Sequence, residues 1–277
     1  MTKTILITGC SSGIGLDSAI ALQKRGWQVF ATCRKQADCA RLKAEYGLVS
    51  FVLDYEKPET IKSGLDQALA LADDGIDVLF NNGAYAITAA GEDVPVAGMR
   101  AIFESNFFGW HDLNCQIIPH MRKRGSGRIL QNSSILGFAA MQYRGAYNAT
   151  KFAIEGLTDT MRMELKGSGI EMILIEPGPI RTKFRENAYK NFKKWITIEG
   201  SAHEGLYRDV LIPRLSGESP RKDPFELGVE AVSKAVVHAV EARRPRLRYR
   251  ITWATKLMMV VKRLLPTRLM DKVARNF

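Results

Sequence analysis

The sequence predicts an α/β fold in which a doubly wound parallel sheet forms a single domain with helices on both faces. Short apolar segments of strand length alternate with longer segments of helical periodicity, an order that is typical of parallel sheets covered on both sides. A glycine-rich turn, Thr8–Gly15, directly follows the first apolar segment. Because crossovers in such sheets are right-handed, we expect ligand-binding residues at the carboxyl ends of the strands.

Each strand is predicted from a short apolar run, and each helix from a longer periodic one. The strands are expected at residues 3–8, 27–33, 49–54, 76–81, 128–133, 171–176 and 247–252. The helices are expected from the glycine-rich turn to about 25 and at 58–71, 96–122, 145–166 and 226–242. Pro58 supports the start of its helix, because proline is favoured in the first helical turn.

The chain is expected to form one domain over residues 1–250, followed by a basic amphipathic extension over 251–277. Within the domain, the periodic pattern weakens after Pro179, and the stretch of about 183–225 interleaves aromatic residues with Lys and Arg. Long connections in compact domains often serve as functional lids. We therefore interpret 183–225 as a mobile helical lid over a pocket.

The composition predicts a soluble protein with a sizeable core. Hydrophobic residues make up 46% of the 277 positions. No apolar run approaches the roughly 18 residues that span a bilayer, and the N-terminus carries no signal-peptide core. The four cysteines have neither CxxC spacing nor a zinc-like pairing with histidine, so we expect reduced thiols, no metal site and a cytoplasmic location.

The positive charge of the chain is concentrated near its end. The net charge is +11, yet Arg243–Phe277 alone contains eleven Lys and Arg against one acid, Asp271. The rest of the chain is therefore almost neutral, at +1. The basicity is a property of the C-terminal segment.

The glycine-rich turn predicts a dinucleotide site, which makes the expected sheet Rossmann-like. Glycine is needed where the backbone bends sharply and where a phosphate approaches the main chain. The N-terminus of the following helix supplies free N–H groups to the pyrophosphate. The residues that we assign to this turn are Gly9, Ser11, Ser12, Gly13, Ile14 and Gly15.

The end of the second strand favours NADP(H) over NAD(H). An acidic residue there would accept from the ribose 2′-hydroxyl, whereas arginine favours a 2′-phosphate. The chain has Arg34 at this point and no acid beside it, and a charge-assisted contact of ~1.5–3 kcal/mol gives roughly tenfold preference or more. Asp54, at the end of the third strand, could accept from the adenine amino group or simply cap the next helix.

Tyr147 and Lys151 form a candidate proton-transfer pair. Residues four apart share one face of a helix, so the lysine ammonium is expected beside the phenol. A free tyrosine has a pKa of about 10, and lowering it by roughly 3 units requires about 4 kcal/mol of extra stabilisation of the phenolate. The lysine and a nicotinamide cation are suitable sources of that stabilisation. An ordinary exposed helix pair is the alternative for this spacing alone.

Taken together, the motifs resemble those of the short-chain dehydrogenase/reductase family over residues 3–182, with a continuation to about 250. The resemblance depends on six motifs in the same order along the chain. They are Thr8-Gly9-x-x-x-Gly13-x-Gly15, Asn81-Asn82-Gly83-Ala84, Asn106, Ser134, Tyr147-x-x-x-Lys151 and Pro177-Gly178-Pro179-Ile180-x-Thr182. The flanking residues are most similar to the hydroxysteroid, retinol and aldehyde-reductase branch. One departure is Gly83-Ala84, where the family usually has Ala-Gly.

The resemblance implies a role for each of these residues. Tyr147 would act as acid and base, Ser134 would orient the substrate carbonyl, and Lys151 would lower the pKa of Tyr147 and bind the nicotinamide ribose. Asn106 would hold a water that links Lys151 to solvent. The remaining cofactor contacts would come from Asn81, Gly83, Pro177, Gly178, Ile180 and Thr182.

The sequence therefore predicts an NADP(H)-dependent oxidoreductase that acts on a lipophilic aldehyde, ketone or alcohol. Substrate contacts are expected from Leu136, Tyr143 and Phe184, because their surroundings are apolar or aromatic. The alternative is a non-catalytic NADP(H) sensor or a peripheral membrane interaction protein on the same fold. The family resemblance also implies a homodimer or homotetramer built by the helices of 96–122 and 145–166.

The C-terminal extension places apolar residues at helical spacing among Lys and Arg. Such a helix could dock over the pocket with its charges in water, or it could lie on an anionic membrane surface. A basic segment attracts any polyanion, but the chain contains no base-stacking module, and we expect no nucleic-acid partner.

Overall fold

The computed structural model describes residues 2–218 and 225–275 and confirms the predicted fold class. Seven parallel strands form one sheet in the order β3-β2-β1-β4-β5-β6-β7. Their bounds are β1 Thr4–Ile7, β2 Gln28–Cys33, β3 Val49–Val52, β4 Val78–Asn81, β5 Gly127–Asn132, β6 Ile170–Glu176 and β7 Arg248–Arg250. The order reverses between β1 and β4, and this reversal is the place where doubly wound sheets bind their ligands.

Helices cover both faces of the sheet because successive strand residues point to opposite sides. Ile5 and Ile7 of β1 belong to one buried apolar cluster, whereas Leu6 belongs to the other. The helices that surround the sheet are α1 Gly13–Gln23, α2 Gln36–Tyr46, α3 Pro58–Leu71, α4 Val96–Phe103, α5 Gly109–Arg124 and α6 Gly145–Glu164. The helices that follow are α7 Phe184–Trp195, α8 Glu204–Leu206, α9 Ile212–Ser216, α10 Glu230–Glu241, α11 Trp253–Leu264 and α12 Thr267–Arg275.

Two features of the helices differ from the prediction. The α2 helix was missed, because it is mostly polar and buries only Cys39 and Leu42. The helix predicted over 96–122 is interrupted by a π-helical turn, Glu104–Phe108, between α4 and α5. A π-helical turn barely disturbs the apolar period and often occurs at functional sites, and this one carries Asn106.

The region predicted as a lid is helical and has a small core of its own. Phe192 of α7 packs edge-on against Tyr207, with 5.4 Å between ring centroids. The Tyr207 hydroxyl accepts a hydrogen bond from the Ala90 amide at 3.0 Å and donates one to the Asp93 carboxylate. This region therefore packs against the segment after β4. The part of the predicted lid over 219–224 lies outside the described residues, as do the last two residues of the predicted extension.

A buried charge cluster ties β7 to the rest of the sheet. Arg248 of β7 donates to Glu176 at 2.6 Å and to both carboxylate oxygens of Asp159 at 2.6 Å, and it also contacts Glu155. Glu176 is fully buried. Because an unpaired carboxylate in the interior is costly, Arg248 fixes the edge strand against β6 and α6.

Candidate active site

A single cavity of about 690 Å³ lies at the carboxyl ends of the strands and contains most of the predicted site residues. The predicted residues that line it are Gly9, Ser11, Ser12, Gly13, Ile14, Arg34, Gly83, Ser134, Leu136, Tyr147, Lys151, Pro177, Gly178, Ile180, Thr182 and Phe184. The predicted residues outside its lining are Gly15, Asp54, Asn81, Asn106 and Tyr143. The fold therefore brings the glycine-rich turn and the Ser, Tyr and Lys set to one space.

The glycine-rich turn is close-packed against the end of β4. Gly9 has a φ of +69°, and a Cβ on it would lie 2.6 Å from the Cα of Gly83. A Cβ on Gly15 would lie 2.6 Å from the carbonyl oxygen of Gly9. Gly15 therefore packs against the backbone of Gly9 and does not line the cavity. A Cβ on Gly83 would meet only ordinary contacts, the nearest at 3.4 Å, so the family's usual alanine would fit there.

The N-terminus of α1 opens into the cavity. Ser12, the residue that precedes this helix, makes no side-chain capping bond. Ser11, Ser12, Gly13 and Ile14 all line the cavity, so the first turn of α1 faces it. Helix N-termini of this kind bind phosphate.

Asn81 and Asp54 have structural contacts in place of the predicted ligand contacts. Asn81 is fully buried; it donates to Asn114 at 2.8 Å and accepts from the Tyr55 hydroxyl at 2.6 Å. Asp54 accepts from the backbone amide of Glu56 at 3.2 Å, in the turn that leads to α3. This contact forms an Asx turn and does not cap α3, which begins at Pro58 with Lys57 as its N-cap.

The surroundings of Arg34 are more mixed than the sequence predicted. Arg34 is exposed and lines the cavity together with Lys35, but the acidic Asp38 also lines it. The expectation that no carboxylate lies nearby was therefore wrong, because the first turn of the unpredicted α2 brings Asp38 back. Asp38 is 3.6 Å from Arg41, whose guanidinium also donates to the Ser11 carbonyl at 2.6 Å. Asp38 is thus partly neutralised by a neighbour other than Arg34.

Tyr147 is buried at the inner end of the cavity. Burial raises the pKa of its phenol, and a hydrogen bond with Ser134 acts in the opposite direction. The effect of burial is larger than that of the Ser134 hydrogen bond. The groups of the protein alone therefore do not lower the pKa of Tyr147 as predicted. The ring of Phe184 packs edge-on against Tyr147, at 5.4 Å between centroids.

Lys151 is almost completely buried, with 1% of its surface exposed. Its ammonium donates to the carbonyl oxygen of Asn132 at 2.7 Å. It lies 4.3 Å from the centre of the Trp110 ring and 5.5 Å from that of Tyr147. Burial lowers the pKa of Lys151 to about 7, and the nearby Glu155 carboxylate opposes this shift. Lys151 therefore gains and loses a proton near neutrality.

Asn106 lies beneath the cavity and is fully buried. Its side chain accepts from the amide of Tyr85 at 3.1 Å, donates to the carbonyl of Tyr85 at 2.8 Å and reaches Thr150 at 3.3 Å. These contacts use the side-chain amide to join the π-helical turn to the segment after β4 and to α6. Because the side chain of Asn106 already has these partners, the water that the resemblance implies would have to bind mainly to the main chain of Asn106.

Several residues of the site were not predicted from the sequence. Trp110 donates to the carbonyl of Gly83 at 2.9 Å and faces Lys151. Asn132 accepts from the Lys151 ammonium with its backbone carbonyl. Its side-chain amide donates to the side-chain oxygen of Asn82 at 2.8 Å. Glu155 accepts from Ser133 and from Arg248. Of these three residues, only Glu155 could have been found from the sequence, because it lies four residues after Lys151 and so shares a helix face with it.

Two of the three side chains predicted as substrate contacts line the cavity. Leu136 and Phe184 line it, but Tyr143 does not; its φ is +60° and its ring packs against His203, at 5.9 Å between centroids. Arg185 and Arg214 from the lid region also line the cavity. The wall is therefore less apolar than the sequence indicated.

The protein belongs to the short-chain dehydrogenase family. A sequence model of that family, described as short chain dehydrogenase, matches residues 3–193. The chain is 38% identical to the uncharacterized oxidoreductase YbbO of Escherichia coli K12, over all of this chain and 95% of that protein. It is 32% identical to human retinol dehydrogenase 8, over 89% of this chain and 80% of that protein. The predicted resemblance is confirmed, and the protein is an oxidoreductase of this family.

Solved structures with the same fold include complexes with either nicotinamide cofactor. A serine dehydrogenase complexed with NADP⁺ has a TM-score of 0.75 and 22% identity, covering 91% of this chain and 95% of that one. A short-chain dehydrogenase/reductase from Burkholderia phymatum, in complex with NAD, has a TM-score of 0.77 and 20% identity, covering 99% and 95%. At this level of identity the likeness establishes the fold and does not choose between the cofactors.

We expect Lys151→Met to remove a pH-dependent part of the stability. Burial holds the pKa of Lys151 at about 7, below its ordinary value of 10.5. Between these values the unfolded state binds more protons, so the wild type gains stability as the pH rises. Relative to the variant, the gain is on the order of 1 kcal/mol per pH unit. Urea unfolding at pH 7, 8 and 9 measures it.

Lys62→Met is the matched control, because this lysine is exposed on α3. Its unfolding free energy should follow that of the wild type across the series. If Lys151→Met also runs parallel to the wild type, the ammonium is not held in the buried environment described.

Proposed function

We propose that this oxidoreductase uses NADP(H) to reduce a lipophilic aldehyde or ketone, or to oxidise the corresponding alcohol, with Tyr147 as the acid and base. One observation carries the proposal: the cavity that receives the N-terminus of α1 is also lined by Ser134, Tyr147 and Lys151. A nucleotide sensor would need only the first part of this arrangement. A hydride-transfer enzyme needs both parts in one space.

The residues of the cavity fit a dinucleotide. The open N-terminus of α1 and the hydroxyls of Ser11 and Ser12 suit the diphosphate, and Arg34 suits a 2′-phosphate. Pro177–Thr182 would hold the nicotinamide end, although the Thr182 hydroxyl already accepts from the amide of Phe184 at 3.1 Å. When bound, the cofactor supplies or accepts the hydride. The preference for NADP(H) depends on Arg34.

Proton transfer is assigned to Tyr147. A phenol whose pKa is raised by burial holds its proton at neutral pH and can donate it to a substrate oxygen during reduction. Ser134, which already hydrogen bonds to the phenol, would donate to the same oxygen and stabilise the charge that develops on it. Lys151, with a pKa of about 7, is suited to return the proton to Tyr147.

The proposed substrate is lipophilic because Leu136 and Phe184 line the cavity next to Tyr147. The similarity to a retinol dehydrogenase supports the same class of substrate. Arg185 and Arg214 add polar groups at the lid side, which suits a substrate with an apolar body and a polar end.

We further propose a homodimer or homotetramer built through α5 and α6, and a cytoplasmic location that allows contact with a membrane surface. Three large apolar side chains on these helices and the π-helical turn are exposed: Phe108, Phe152 and Met163. Phe152 and Met163 are eleven residues apart and share one face of α6, and exposed apolar residues that share a surface often mark an interface. Among the described residues, no helix is both long and apolar enough to cross a membrane.

Tyr147→Phe is expected to abolish turnover while leaving NADPH binding within about twofold of the wild type, because it removes only the hydroxyl. General acid catalysis contributes roughly 10²–10⁴-fold. NADPH oxidation followed at 340 nm with a panel of carbonyl substrates measures turnover, and fluorescence titration measures binding.

The matched control for this variant is Tyr46→Phe, which removes a hydroxyl at an exposed position and should retain full activity. Turnover by Tyr147→Phe at the wild-type rate would refute the assignment. NADPH binding with no turnover by the wild type on any carbonyl or alcohol would favour the sensor alternative.

Arg34→Asp is expected to lower the ratio of NADPH affinity to NADH affinity roughly tenfold or more, since it replaces a charge-assisted phosphate contact by a repulsive one. Isothermal titration with both cofactors measures the ratio. Lys43→Asp, which makes the same charge change on the exposed side of α2, should leave it unchanged. An unaltered ratio in Arg34→Asp excludes a phosphate contact for this residue.

A further inference from the structure

The α11 helix has apolar residues on two sides, and within residues 2–218 and 225–275 only one of these sides is covered. Ala254 and Met258 are buried, at 1% and 4% exposure. They pack in a cluster with Ile135 and Phe138 from the segment after β5. The helix therefore docks on the protein, but none of its residues lines the cavity over which the sequence analysis considered placing it.

The docked side of α11 is held by polar contacts as well. Lys262 donates to the carbonyl oxygen of Phe138, and its ammonium lies 5.0 Å from the centre of the Phe152 ring. At the N-terminus of α11, the Thr252 hydroxyl accepts from the amide of Thr255 at 3.2 Å. The orientation of the helix about its axis is therefore fixed, and with it the identity of the residues that face outward.

Four large apolar side chains face outward from α11. They are Trp253, Leu257, Val260 and Leu264, and their exposed fractions are 59%, 37%, 54% and 75%. At 3.6 residues per turn, all four fall within about 60° of one another around the helix axis. We name this row the outer stripe. It runs the length of α11, roughly 18 Å at 1.5 Å per residue.

The outer stripe continues beyond the helix. At the N-terminal end of the helix, Phe225, which is 55% exposed, packs against Trp253 at 5.5 Å between ring centroids. Isolated exposed apolar residues need no explanation, but a contiguous row of them marks an interaction surface.

Basic residues border the outer stripe. Lys256 and Arg263 are exposed on α11 and lie about 60–80° to one side of the row by helical spacing. Residues 251–275 contain six Lys and Arg and a single acid, Asp271. An apolar row with a basic border matches a lipid surface that bears negative headgroups. Trp253, at the end of the row, is of the type that favours the membrane interface.

We propose that the outer stripe binds the surface of an anionic lipid bilayer, with α11 lying in the plane of the membrane. The apolar row would enter the boundary of the acyl chains, and Lys256 and Arg263 would contact the headgroups. The docked side stays on the protein, so binding needs no rearrangement of the fold. A polyanion without an apolar phase, such as a nucleic acid, would leave the outer stripe uncovered, and a second copy of this chain would repeat the basic border instead of neutralising it.

Vesicle flotation with the full chain tests this proposal. The probes are vesicles of phosphatidylcholine alone and vesicles of three parts phosphatidylcholine to one part phosphatidylglycerol. We expect binding to the anionic vesicles only, and release as the salt concentration rises. Val260→Glu/Leu264→Glu should lower the vesicle-bound fraction roughly tenfold or more, since it removes two of the inserted side chains.

The matched control is Val49→Glu/Leu71→Glu, which places the same charges on exposed apolar residues; Val49 lies in β3, at the sheet edge opposite to β7. This variant should float like the wild type. Lys256→Glu/Arg263→Glu should lose binding to anionic vesicles by roughly tenfold or more, because it reverses two charges that would face the negative headgroups. Far-ultraviolet circular dichroism verifies that all three variants fold.

Two outcomes would overturn the proposal. One is equal flotation of the wild type and Val260→Glu/Leu264→Glu, or no flotation of either with anionic vesicles. The other is a change from dimer to monomer in Val260→Glu/Leu264→Glu, measured by light scattering without lipid, together with a wild type that does not float. That second result would assign the outer stripe to contact between copies of this chain.

Discussion

The burial of the Lys151 ammonium is the constraint on which the site depends. An amino group removed from water loses its hydration and must be compensated by nearby dipoles or charges, or it becomes neutral. Among the described residues the compensation is incomplete: the carbonyl oxygen of Asn132 accepts from it at 2.7 Å, the face of Trp110 lies 4.3 Å away, and the Glu155 carboxylate favours its charged form. The pKa of Lys151 therefore falls to about 7. A lysine in this state can exchange protons with its surroundings at neutral pH, which a fully charged or fully neutral group would not do.

The elements around Lys151 are arranged by the same requirement. Asn132 ends β5 and also donates to Asn82, beside the glycine-rich turn. Trp110 reaches the carbonyl of Gly83 at 2.9 Å, which couples α5 to the segment after β4. Behind the lysine, Glu155 joins α6 to Arg248 of β7. The group that would handle protons is thus held by the end of β5 and by Trp110 of α5, and both of these contact the segment after β4, so its position follows from the sheet order.

The sequence predicted the features that depend on local pattern and missed those that depend on distant contacts. Buried apolar runs and glycine positions were enough to predict the seven strands and the turn before α1. The α2 helix was missed because only Cys39 and Leu42 are buried in it, and the acidic Asp38 beside the cavity was missed with it. No sequence spacing could indicate that Trp110 would face Lys151, or that Arg248 would bridge Glu155 and Glu176. Those contacts arise when crossovers bring separate segments to neighbouring strands.

Burial keeps the phenol of Tyr147 protonated, and we expect it to become acidic only when a positive charge is bound beside it. An ultraviolet titration at 295 nm, which follows tyrosinate formation, measures this change when the curve of Tyr147→Phe is subtracted from that of the wild type. We expect no Tyr147 titration below about pH 10 in the free protein, and a titration shifted to lower pH when NADP⁺ is added. A Tyr147 curve that is the same with and without NADP⁺, or one already shifted to neutral pH in the free protein, would contradict it.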